Sequence, residues 1–89
     1  MRKPNSLSEN LGRAIRKRRC AKGLTQEKLA ELAGLHRSYI GDVERGARNI
    51  TVFTLASMTT ALETTISELT VGIDAIVGDF AEGVENPGA

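Results

Sequence analysis

The side chains of this protein best equipped for chemistry are hydrogen-bond donors and fixed charges. In the stretch "LHRSYIGDVERGARN", Leu35 to Asn49, Arg37 stands between His36 and Ser38, Tyr39 follows, and Asp42 lies one helical turn further along. A guanidinium is planar and offers two parallel N–H groups, which match O6 and N7 of guanine or two oxygens of a phosphate. Arg37 is therefore either a reader of base edges or a phosphate-bound or solvated cation. His36 and Ser38 can donate to the same partners, whereas metal binding by His36 lacks a second ligand at suitable spacing. Asp42 would be repelled by phosphate unless it accepts from N4 of cytosine. Tyr39 belongs either to the core or to the surface, with a part-buried ring turning its hydroxyl toward a phosphate. Catalytic chemistry has less to work with. The sequence has no Gly-rich phosphate loop, no paired carboxylates in a readable motif and no Cys/His nucleophile pair, so it is not read as an enzyme.

The charge distribution supports an anionic partner. Net charge is +1 over 89 residues, but all twelve Lys and Arg fall within residues 1–50 against five acids, a local net of +7. Residues 51–89 hold six acids and no base. Such polarity assigns the N-terminal part to a polyanion and the C-terminal part to a different task. The single Cys20 allows no internal disulfide and suits a reducing, cytoplasmic setting. No apolar run is long enough to span a bilayer, and no cofactor, small-molecule or membrane partner is suggested.

These side chains must be held by something, and the pattern is all-α with five helices. "SLSE" from Ser6 has capping-box form and opens helix 1, with Leu7, Leu11, Ala14 and Ile15 at helical spacing and Gly23 beyond its end. Thr25 caps helix 2, whose inward set is Leu29, Ala30, Leu32 and Ala33. Gly34 turns the chain into helix 3, about His36 to Glu44, with Tyr39, Ile40 and Val43 on its apolar side. Thr51 caps helix 4, with Leu55, Met58, Thr59 and Leu62 inward, and Ser67 is the cap expected for helix 5. Helices 2 and 3 are too short to stand alone, so they exist by packing on the others. That arrangement leaves the start of helix 3 protruding.

With "LGRAIRKRRCAKGLTQEKLAELAGLHRSYIGDVERGARNITVFTLASMTTAL" set out, the chain resembles the lambda repressor and Cro family of helix-turn-helix regulators, the XRE group, over roughly residues 7–69. The motifs carrying the resemblance are Leu11, Gly12, Ile15, Arg16 and Arg19, then Thr25-Gln26-Glu27 with Leu29-Ala30, Gly34, Ile40 and Glu44-Arg45-Gly46. Within the group, "LHRSYIGDVERGARNIT" looks most similar to controller proteins of restriction-modification systems. The resemblance implies that helix 3 lies in the major groove of double-stranded DNA, a placement that belongs to the family. Arg37, Ser38, His36 and Asp42 then read bases, and Gln26, Tyr39, Arg48, Asn49, Arg45 and Lys28 contact phosphate. It also implies an architectural ion pair between Arg19 and Glu44. The remaining arginines of "RAIRKRR" are expected to form a solvated face. Two departures fall at the end of helix 4: Glu63 stands where glycine is usual, and Thr59 where alanine is.

Residues 1–5 read as a flexible basic arm, 6–70 as the DNA-binding domain, 71–82 as a helical extension and 83–89 as a flexible tail. Ile66, Leu69, Ile73, Ile76, Val77 and Phe80 form an apolar stripe at helical spacing. The stripe either pairs with a second copy, making a homodimer, or folds back as a sixth helix. The expected function is sequence-specific transcriptional regulation. The alternative is a protein-interaction module on the same fold, such as an antitoxin or coactivator.

Overall fold

Threonine hydroxyls open three of the helices. Thr25 Oγ1 accepts from the Lys28 amide at 3.0 Å, Thr51 Oγ1 from Thr54 at 3.1 Å, and Thr65 Oγ1 from Glu68 at 3.0 Å. Each satisfies a backbone donor that a helix start leaves without an intrahelical partner. The computed structural model describes residues 6–71, and these form α1 (Ser6–Ala21), α2 (Gln26–Ala33), α3 (Arg37–Glu44), α4 (Val52–Ala61) and α5 (Ile66–Leu69). The sequence readings of residues 1–5 and 72–89, including the stripe from Ile73 onward, lie outside the described residues. Two boundaries differ from expectation. Thr65 caps α5 in place of Ser67, and His36 precedes α3 as its N-cap residue, without a capping bond from its side chain.

The ends of α1 to α4 are alike. Leu24, Leu35, Ala47 and Thr64 donate back to the carbonyls of Arg19, Ala30, Asp42 and Thr59, five residues earlier, at 2.8 to 3.1 Å. That closure needs a left-handed residue just before the donor. Gly23, Gly34 and Gly46 supply it at φ +71°, +72° and +75°, and Glu63 supplies it at φ +55°, alone in this region among the described non-glycine residues.

Leu11, Ile15, Leu29, Ala30, Ile40, Val43, Leu55, Met58, Leu62 and Leu69 form one buried core. Helix α3 packs on α1 and α2, α2 on α4, and α5 on α1 and α4. The crossing of α1 over α3 is close enough to exclude a side chain: a Cβ at Gly12 would lie 2.1 Å from the carbonyl oxygen of Val43. Thr59 is tolerated in the core because its hydroxyl donates to the Ala56 carbonyl at 2.9 Å. Two apolar assignments need correction. Leu32 is 51% exposed, because eight helical residues give α2 one narrow inward stripe that Leu29 and Ala30 already fill. Leu69 is 6% exposed within the core of its own domain, so its side chain is not available to a second chain. No helix among the described residues is long and apolar enough to cross a membrane.

Candidate nucleic-acid interface

The exposed start of α3 is held from below. Ile40 is fully buried and Val43 nearly so, which fixes the helix on α1 and α2 and leaves His36, Arg37 and Ser38 at the surface. None of these three side chains has a hydrogen-bond or ion-pair partner among the described residues. Free donors on a protruding helix start, on a helix seated through Ile40 and Val43, are what recognition of a base edge requires.

Below this surface Glu44 gathers three elements. Its carboxylate accepts from Arg19 Nε at 2.6 Å and Arg19 Nη2 at 3.0 Å, and from Gln26 Nε2 at 3.1 Å. The paired side chains are 12% and 3% exposed for Arg19 and Glu44. Arg19 Nη1 also donates to the Leu24 carbonyl at 2.7 Å, so the guanidinium serves the α1–α2 turn as well. The hydrogen bonds to Glu44 raise the pKa of Arg19 above its ordinary value, outweighing the opposing effect of burial. Gln26 is thereby tied to α3 from the first residue of α2.

A second group lies between α3 and the loop after it. Asp42 accepts from Arg45 Nη2 through Oδ1 and from Arg48 Nε through Oδ2, the latter at 3.2 Å. Arg48 also stacks on Tyr39, its Cζ 5.1 Å from the ring centroid, and the Tyr39 ring is part-buried against the core. The structure therefore brings Tyr39, Asp42, Arg45 and Arg48 together. Asp42, expected to face a base, has both carboxylate oxygens engaged with arginines.

The other expected phosphate contacts are more dispersed. Asn49 Oδ1 accepts from Ser8 of α1 at 3.4 Å, and Lys28 pairs with Glu31 on the exposed face of α2 at 3.1 Å. Arg18, read as part of a solvated face, has a different place. Its Nε donates to the Leu62 carbonyl at 3.1 Å and its Nη2 to the Glu63 carbonyl at 2.8 Å. It thus satisfies carbonyls that the end of α4 leaves open. Lys22 pairs with the Glu63 carboxylate, which the neighbouring ammonium holds below the usual carboxylate range. The only sequence signal for this bracket was the missing glycine at position 63. No group of three or more His, Cys, Asp or Glu that could hold a metal ion occurs among the described residues.

Two short helices joined at a left-handed glycine, with the second seated on a buried face and its start exposed, define a helix-turn-helix protein. A family model described as Helix-turn-helix matches residues 15–69, and the chain belongs to that family, as a DNA-binding transcription regulator of XRE type with lambda-repressor-like architecture. Among its relatives is Control protein C.SmaI of Serratia marcescens, 46% identical over 63 residues, which are 71% of this chain and 75% of that protein. The crystal structure of the restriction-modification controller protein C.AhdI from Aeromonas hydrophila is similar with a TM-score of 0.67 and 48% identity, covering 68% of this chain and 92% of the other. Controller protein C.Esp1396I, solved as a tetramer in complex with its natural 35 base-pair operator, is similar with a TM-score of 0.70 and 35% identity, over 74% of this chain and 87% of that one.

Proposed function

We propose that this protein is a controller of the restriction-modification type, a cytoplasmic regulator that binds its operator as a homodimer with α3 in the major groove. The observation that carries the reading is the set of exposed donors at His36, Arg37 and Ser38, unpartnered among the described residues, on a helix anchored by Ile40 and Val43. Arg37 reads guanine, and His36 and Ser38 donate to neighbouring edges or phosphates. Arg45, Arg48, Gln26, Tyr39, Asn49 and Lys28 hold the backbone and set register. A homodimer would place two α3 helices about one DNA turn apart, ~34 Å. Dimerisation is assigned to the apolar stripe of the C-terminal extension, Ile73, Ile76, Val77 and Phe80. Ile66 of α5, 37% exposed, belongs to the same stripe.

Selection of bound sequences from a random duplex pool, followed by titration of the Arg37→Ala variant, tests the reading. The variant should lose ~1 to 3 kcal/mol on the selected operator and keep its affinity for scrambled DNA. Equal losses on both would remove Arg37 from base recognition, and failure of the wild type to enrich any sequence would remove the function.

A further inference from the structure

We propose that Asp42 is an internal counter-ion of the DNA-binding surface: in the free protein it occupies Arg45 and Arg48, the guanidinium groups that phosphate takes on binding, and so limits affinity for DNA of any sequence. The proposal rests on the reading that α3 and the loop after it face DNA.

Asp42 presents one oxygen to Arg45 Nη2 and the other to Arg48 Nε, the arrangement that a phosphate with two free oxygens would also offer. The two arginine side chains are 67% and 53% exposed, so a phosphate can reach them from solvent, whereas Asp42 at 29% is more enclosed. Pairs this exposed are weak and screened by salt, and a polyanion can exchange with them. The stack on Tyr39 keeps Arg48 near its place when Asp42 lets go. The three side chains together carry one net positive charge, where two arginines without the aspartate would carry two. A carboxylate left close to phosphate opposes binding at every sequence, so its cost falls on cognate and non-cognate DNA alike. Its value to a regulator is that random DNA, which offers only phosphates, is held more weakly. The operator, which adds base contacts through Arg37, is still bound.

The test is Asp42→Asn, nearly isosteric, titrated against a random-sequence duplex and the selected operator over a range of salt. On random DNA the affinity should rise about tenfold at ~0.1 M salt, the salt slope should steepen by ~0.9, and the two proteins should converge toward 1 M. Asp42→Ala, which keeps no acceptor, should steepen the slope equally. Thermal melts of both variants establish that α3 stays folded. An unchanged slope overturns the proposal, as does a loss on both DNAs, which would make Asp42 an organiser of the arginines. A loss confined to the operator also overturns it, because Asp42 would then read a base. Wild-type protein that binds neither DNA would instead dismiss the DNA-facing reading itself, an outcome separable from all of these.

Discussion

Arg18 and Arg19 are neighbours with the same side chain, yet Arg18 donates to the carbonyls of Leu62 and Glu63 while Arg19 pairs with the buried Glu44. Arg37 has no partner among the described residues, and Arg48 divides itself between Asp42 and the Tyr39 ring. What a guanidinium does here is decided by which helix lies across from it, so each type of arginine calls for a different measurement. Glu44→Ala leaves Arg19 charged and part-buried with its main partner gone. Breaking a pair of this kind costs ~3 to 5 kcal/mol, which urea denaturation would read directly. A loss below about 1 kcal/mol would mean that the pair behaves as a surface contact. Arg48→Ala leaves the core untouched and should weaken binding to all DNA while lowering the salt slope by about one. A slope equal to that of the wild type would place Arg48 off the phosphate path.

At the scale of elements, the crossing of α1 and α3 is limited by Gly12. Gly12→Ala would drive a methyl group into the Val43 carbonyl, 2.1 Å from the ideal Cβ position, and backbone cannot swing aside as a side chain can. The helices must part, at a cost of ~1 to 3 kcal/mol. A chemical-denaturation midpoint unchanged from the wild type would show that the crossing has slack. The elements themselves were largely legible in the sequence. Threonine caps and left-handed glycines are local devices, so Thr25, Gly34 and Thr51 marked their boundaries correctly. Helical spacing picked out Leu11, Ile15, Ile40, Val43, Leu55, Met58 and Leu62, all of which are buried. Long-range pairing left no such trace. Arg18 reaches a carbonyl 44 residues away, and nothing in "RAIRKRR" separates it from its exposed neighbours Arg16 and Lys17. Leu32 has the hydrophobicity of a core residue, and only the width of the α2 contact decides that it stays out. The pairing of Asp42 with Arg45 and Arg48 was illegible for another reason. The left-handed turn at Gly46 comes between Arg45 and Arg48, and it sets where Arg48 emerges relative to α3.

For the molecule as a whole, Leu69 is the last described residue of the core, and the proposed dimerisation segment begins just after it. A chain ending at Thr70 should therefore keep its folded signature by circular dichroism, sediment as a monomer and lose cooperative operator binding. Sedimentation showing dimers as tight as those of the full chain would move the interface elsewhere. Within the domain, α1 carries both polar brackets on adjacent residues. Arg19 reaches Glu44 at the end of α3, and Arg18, with Lys22, reaches the turn that closes α4. Neither α3 nor the α4–α5 turn can separate from α1 without breaking a charged contact. The amides in the second half of α1 are consequently the ones whose exchange with solvent deuterium should await global unfolding, whereas the exposed start of α3 can open in partial excursions. The DNA-reading end would then breathe against a spine that stays closed, leaving local freedom to adjust to a base sequence without loosening the fold.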